Sequence, residues 1–158
     1  MQSTNDVVIE RTVSSPIQNV WDMWAKPENF QKWYGPEGAT IPHANMDVAV
    51  GGTRHICMEM NTPNGPMQMW FVGEYLQIEE PHLLSYTEIM SNENGDKLAP
   101  SELGMPGGDE PQTTTVTVEL EQISDTETKM TMTHAGVPAD SPGAMGWEMA
   151  LDKLTALL

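Results

Sequence analysis

Four residues carry side chains able to do acid–base or anion-binding chemistry from within apolar surroundings: Arg54, Glu74, Glu88 and His134. Each stands in a stretch where apolar and polar residues alternate, so each shares a face with the residues two positions away. Arg54 goes with Ile56 and Met58, Glu88 with Tyr86 and Leu84, His134 with Met132 and Met130, and Glu74 with Trp70 and Val72. If Ile56, Met58, Val116, Val118, Met130 and Met132 face a core, Arg54, Glu88 and His134 point inward with them. Alternation leaves the direction of the Trp70–Val72–Glu74 face open. An apolar cavity with a few converging polar groups is the usual build of a small-molecule site. Arg54 paired with a carboxylate would satisfy a buried charge, and so paired it can still hold a ligand carboxylate or phenolate.

Catalytic machinery is harder to find. No Ser-His-Asp or Cys-His set is legible from spacing, so Glu74, Glu88 and His134 are the acid–base candidates, and for His134 hydrogen bonding at a strand end is the simpler role. His43, His55, His82 and His134 form no i,i+2 or i,i+4 pair that would chelate zinc, so no metal is expected. The chain lacks a glycine-rich strand-to-helix turn to cradle a nucleotide, and no cofactor is expected. Cys57 alternates with Ile56 and Met58, which puts it on the opposite face with nothing to activate it.

The elements that position these groups follow from periodicity and punctuation. A first strand spans 7–12. Ser15-Pro16-Ile17-Gln18 predicts an N-cap, a proline at the first helical position and a capping-box glutamine for a helix that stops before Pro27. A second short helix, 28–33, ends at Gly35-Pro36. Strands are predicted at 40–50, 53–61, 68–79, 83–90, 113–121 and 128–134, with Gly51-Gly52, Pro63-Asn64-Gly65-Pro66, Glu80-Pro81 and Asp125-Thr126 as turns. Ser141-Pro142 opens a last helix whose Trp147, Ala150, Leu151, Leu154, Leu157 and Leu158 share one arc. The fold class is therefore α+β, a curved antiparallel sheet of about seven strands wrapped around a long C-terminal helix, as one domain over 1–158. Ligand contacts are expected from Arg54, Ile56, Met58, Trp70, Tyr86, Met132, Trp147 and Leu151, in a cavity between sheet and helix. Trp21, Trp24 and Trp33 are expected to staple the two short helices to the sheet. The loop 91–112 is too long for a plain hairpin; its Leu98, Leu103 and Met105 leave two readings open, a surface excursion or a lid.

Composition narrows the function. With 158 residues and 39% hydrophobic content the chain suits a single core, burying about two-thirds of its unfolded surface. Seven Lys and Arg against 23 Asp and Glu leave a formal charge of -16, which repels a phosphate backbone and excludes nucleic acid. Anionic membranes are disfavoured for the same reason, and no apolar run approaches the roughly 18 residues of a membrane span. A polar start and a lone cysteine favour a cytoplasmic location. Thirteen methionines against two phenylalanines suit a Met-rich core or a permissive ligand cavity.

Four ordered stretches carry a resemblance to a known family. They are Arg11 with Ser15-Pro16 and Val20-Trp21; Trp33-Tyr34-Gly35-Pro36; Gly51-Gly52 with Met58, Gly73 and Tyr75; and 131–136, Thr-Met-Thr-His-Ala-Gly, with Gly146-Trp147 and 151–154, Leu-Asp-Lys-Leu. Gly104-Met105-Pro106 resembles a bacterial subgroup. Together they resemble the START-like, helix-grip superfamily, in the branch named after the activator of the heat-shock-protein-90 ATPase. The resemblance implies the helix-grip fold and admits three functions: binding of a small hydrophobic or amphipathic molecule without catalysis, a cyclase or hydratase-like enzyme, and a chaperone-modulating interaction module. It leaves a homodimer open. The chain departs from many relatives at Gly143, where they carry a histidine, and at Arg54, where they carry an aromatic residue. It also lacks the long charged linker and separate N-terminal domain of the eukaryotic co-chaperones.

Overall fold

A computed structural model describes residues 6–104, 108–137, 139 and 141–158. Seven strands form one antiparallel sheet: β1 (Asp6–Val13), β2 (Thr40–Met46), β3 (Thr53–Thr62), β4 (Gly65–Glu79), β5 (Leu83–Ser91), β6 (Thr113–Ser124) and β7 (Glu127–Ala135). Their order across the sheet is β1-β7-β6-β5-β4-β3-β2. Helices α1 (Ile17–Ala25) and α2 (Pro27–Phe30) follow β1, and α3 (Pro142–Ala156) closes the chain. The sheet is curved, and the α+β helix-grip architecture expected from the alternating pattern is the one observed.

Alternation decides what each strand presents. Val7, Ile9 and Val13 of β1, Ile56 and Met58 of β3, Leu84 and Tyr86 of β5, Val116, Val118 and Leu120 of β6, and Met130 and Met132 of β7 all turn inward into one core. The three helices cover that face with Trp21, Trp24, Phe30, Trp33, Trp147, Leu151 and Leu154. Trp24 and Trp33 meet edge to face at 4.6 Å, Trp24 stacks on Trp147 at 6.0 Å, and the Trp33 indole donates to the carbonyl of Met23 at 2.8 Å. These tryptophans join the short helices both to each other and to α3.

The helix starts differ. Ser141 caps α3 as predicted, its hydroxyl accepting from the Ala144 amide at 3.4 Å. At α1 the predicted capping box does not form. Pro16 occupies the N-cap position, Ser15 accepts instead from the Asn19 side chain, and Gln18 reaches forward to Asp22 and Glu80. The second helix is shorter than predicted, ending at Phe30, and β2 ends at Met46 rather than near residue 50. Leu157, placed by the helical wheel on the buried arc, is 49% exposed, because α3 ends at Ala156 and Leu157 is its C-cap.

Arg11 ties α3 to β1 by forking across two acids one turn apart, Glu148 at 2.5 Å and Asp152 at 2.6 Å. These pairs lie at the surface, where solvent screens them. Gly73 matters more to the core. A Cβ there would run into the carbonyl oxygen of Thr87, so the β4–β5 crossing needs a residue without one.

The described part of the loop 91–112 starts against the outer face of the sheet. It is tied down by a Ser91–Lys97 bridge and by Asn92, whose side-chain oxygen accepts from the amides of Asn94 and Asp96. The Asn92 carbonyl lies 3.4 Å from His55 Nε2, and Gly95 sits beside Val72, both on the outer face of the sheet. Ala99 and Pro100 are buried, Leu98 is half-buried, and Leu103 is exposed. Met105 lies outside the described residues.

We expect Gly73→Ala to lower unfolding stability by about 1–3 kcal/mol or more, and Arg11→Met by no more than about 1 kcal/mol. Urea unfolding followed by tryptophan fluorescence measures both, and a Gly73→Ala protein as stable as the parent would contradict the close approach.

Candidate functional site

The strand registers bring a polar cluster together at one end of the inner face. Arg54 on β3 stands opposite Met46 on β2 and Gly73 on β4, and Tyr75 on β4 stands opposite Tyr86 on β5. Tyr34, from the turn after α2, reaches in from above. Its hydroxyl donates to Glu88 Oε2 at 2.8 Å and lies 3.2 Å from the hydroxyl of Tyr86. Arg54 is 1% exposed, with its guanidinium carbon 3.6 Å from the centre of the Tyr86 ring, 5.2 Å from Phe30, 5.8 Å from Tyr75 and 6.0 Å from Tyr34. Glu88 Oε2 lies 3.7 Å from Arg54 Nη1, an ion pair too long to be a hydrogen bond.

The electrostatics follow. Burial works against the Arg54 charge, but the surrounding phenols and Glu88 outweigh it and hold the guanidinium firmly protonated. Burial likewise pushes the Tyr34 and Tyr86 hydroxyls up, so both remain neutral phenols at physiological pH. The nearby Glu88 charge reinforces that for both; Arg54 opposes it. One cation, one carboxylate and three phenols thus share a nearly closed space. Arg54 Nε, Nη1 and Nη2 and the Tyr75 hydroxyl are buried with no hydrogen-bond partner among the described residues.

His134 serves a different purpose. Its Nδ1 accepts from the Trp147 indole at 2.8 Å, and indole nitrogen can only donate, which fixes the tautomer. Nε2 therefore carries the proton and donates to Thr114 Oγ1 at 2.7 Å, and Thr114 donates in turn to the Glu88 carbonyl at 3.2 Å. Both ring nitrogens are engaged in a chain that fastens α3 to β7, β6 and β5. Burial depresses the His134 pKa, with Glu88 opposing weakly.

The predicted ligand contacts divide. Arg54, Ile56, Met58, Tyr86, Met132, Trp147 and Leu151 all lie in the core beneath the helices. Trp70 does not. It pairs with Cys57, on the outer face, where it packs against His55 at 4.9 Å and His43 at 5.5 Å. Glu74 shares that outer face and is exposed, because it stands opposite Thr53 while Tyr75, one residue on, turns inward. Period two could order residues 70–75 but not say which face was buried. Spacing alone missed two of the three phenols: Tyr34 arrives from the turn after α2 and Tyr75 from the face opposite Trp70.

The space between sheet and α3 is occupied by large side chains. Trp24, Phe30, Trp33, Tyr34 and Trp147 fill it, each at most 7% exposed. Two open concavities lie elsewhere. One of about 380 Å³ is lined by Leu83, Glu119, Glu121, Lys129 and Thr131 of the sheet's outer face, and one of about 180 Å³ lies between β1 and the start of α3. Apolar surface facing the concave side persists farther along the β3–β4 hairpin. Met58 opposes Met69 and Met60 opposes Met67, and exposure rises from the buried Met58 through Met60 and Met69 to Met67, 46% exposed. Among the described residues, no cluster of three or more His, Cys, Asp or Glu could hold a metal ion, and no helix is long and apolar enough to cross a membrane.

With the sheet, the three helices and the site in place, comparison with known proteins becomes informative. Residues 14–158 match the family model described as Activator of Hsp90 ATPase homolog 1-like protein. The chain belongs to that family. Solved structures of similar fold include a protein of Chromobacterium violaceum, 23% identical over 97% of this chain and 96% of that one, TM-score 0.77. A Nitrosomonas europaea protein is 21% identical over 96% and 92%, TM-score 0.74. A Staphylococcus epidermidis protein is 24% identical over 100% and 92%, TM-score 0.73. At such identities the likeness is one of fold. None of the curated proteins compared matches the chain. In this member of the family, the buried Arg54 and the His134–Trp147 bond are the features that give the inner face its chemistry.

Charging His134 would set two N–H groups against each other. Its depressed pKa means that its contribution to stability is full above about pH 6.5 and lost as pH falls through the folded-state value. The difference in unfolding free energy between the parent and His134→Gln should therefore shrink between pH 7.5 and 5; a constant difference would contradict it. Trp147→Phe keeps the ring but leaves Nδ1 without a donor, and should cost about 1–3 kcal/mol in the same assay.

Proposed function

We propose that the protein binds a small hydrophobic or amphipathic molecule on the concave face of its sheet, without catalysing a reaction. The observation that carries this reading is the continuous apolar strip of the β3–β4 hairpin, which runs from the exposed Met67 past Met60, Met69 and Met58 to the buried Arg54. Monomeric soluble domains seldom leave such a strip facing inward and half-covered without a use for it. Methionine side chains are flexible and polarizable, and can re-form around ligands of different shape. The family fold is compatible with this use.

The acid–base alternative has fewer groups to work with than the sequence offered. Glu74 lies on the outer face, and His134 has both nitrogens engaged. Glu88 is left, held by the Tyr34 hydroxyl and facing Arg54. A binding anchor uses those contacts as they stand, whereas a general base would have to break them.

The reporter dye N-phenyl-1-naphthylamine should bind saturably with enhanced fluorescence. Met69→Glu should weaken that binding at least about tenfold, the cost of setting a charge on an apolar contact. Trp70→Ala, on the outer face, should leave it unchanged. Dye binding lost in Trp70→Ala and kept in Met69→Glu would place the site on the wrong side of the sheet.

A further inference from the structure

The buried end of the concave face is short of hydrogen-bond acceptors. Arg54 brings five N–H groups on three nitrogens, all buried and all without a hydrogen-bond partner among the described residues, and the Tyr75 hydroxyl is equally unpartnered there. Buried polar groups in native proteins are rarely left so, and a single buried water, with about three hydrogen bonds, would not satisfy six donors. The neighbouring side chains cannot make up the deficit. The Tyr34 hydroxyl is committed to Glu88, and the Tyr86 ring meets the guanidinium with its face, 3.6 Å from the ring centre. Glu88 stands 3.7 Å from the guanidinium, near enough to balance its charge and too far to accept its protons.

Charge and hydrogen bonding are therefore met separately at this site. The guanidinium's charge is balanced by Glu88 and by the faces of Phe30, Tyr34, Tyr75 and Tyr86. Its protons are not used. A carboxylate or phosphate ligand would supply acceptors but would bring a second negative charge against Glu88, inside a protein whose formal net charge is -16. A cation would find Glu88 already balancing Arg54 and would meet the like charge of the guanidinium. A neutral carbonyl brings acceptors and no charge.

Resting on the binding function proposed above, we propose that Arg54 and Tyr75 recognise the neutral carbonyl head of an otherwise apolar molecule, a ketone, ester or amide, whose tail lies along Met58, Met60 and Met69.

Three probes with the same eleven-carbon skeleton separate the cases at pH 8: 2-undecanone, undecanoate and undecylamine, each competing with bound N-phenyl-1-naphthylamine. The ketone should displace the dye at a concentration at least about tenfold below the other two. Arg54→Met should abolish the preference. Tyr75→Phe, which removes one oxygen and keeps the ring, should weaken ketone binding several-fold, and it tests the site independently if the Arg54 variant fails to fold. Undecanoate displacing the dye as well as or better than the ketone would overturn the neutral-head assignment while leaving the binding function intact. Equal competition by all three, unchanged in both variants, would do the same. Failure of the dye to bind the parent protein would overturn both.

Discussion

One positive charge sealed inside the sheet sets conditions that the surrounding structure must meet. Moving a guanidinium out of water costs several kcal/mol even after relaxation, and an apolar core of this size has little stability to spare. The protein meets the cost from several directions: Glu88 across the face at 3.7 Å, the Tyr86 ring directly against the cation, and three further rings within 6.0 Å. A desolvated cation–π contact contributes on the order of 2 kcal/mol, so several rings together rival a buried carboxylate. The tyrosines of the site are thus explained by the cation they face. The Tyr34 hydroxyl donates to Glu88 and meets that of Tyr86, which orders Tyr34 and with it the turn between α2 and β2.

The grip of the sheet on α3 depends on a second buried polar unit. Trp147 stacks on Trp24, meets Tyr34 edge to face at 5.4 Å, and donates its indole proton to His134. His134 passes the connection to Thr114 and on to the backbone of β5. Because each member of the chain donates to the next, the bonds polarise one another, and the chain links the helix to three adjacent strands. Arg11 adds a surface clasp on the opposite side of the helix. An apolar contact alone would let the helix slide along the sheet; the indole bond fixes its position.

The two faces of the β2–β4 region do different work. Inside lie Arg54, Ile56, Phe71 and the methionine pairs; outside lie His43, His55, Cys57 and Trp70, with the start of the long loop laid beside them. Cys57 is buried on that outer face, and burial with the nearby Glu59 and Glu93 charges pushes its thiol pKa up, as expected of an inert cysteine. His43 and His55 come within 5.5 Å of each other although twelve positions separate them, because they lie on neighbouring strands. Spacing along the chain gives no sign of such a pair.

Local chemistry was enough to read most of the architecture. Period-two alternation decides which residues of β3, β5, β6 and β7 face inward, Ser141-Pro142 starts α3, and glycine and proline mark the turns, since each of these depends on residues close in sequence. Arg54, Glu88 and His134 could therefore be placed on the inner face before any tertiary contact was known. Three things depended on distant parts of the chain meeting: the face taken by Trp70 and Glu74, the tyrosine cage around Arg54, and the filling of the space under α3 by aromatic rings. Alternation is unchanged when a strand is turned over, so it cannot tell a core face from a solvent face where both carry large side chains, as in β4. The volume left between two packed surfaces depends on how rings from α1, α2 and α3 interlock, and that is settled only when the helices dock.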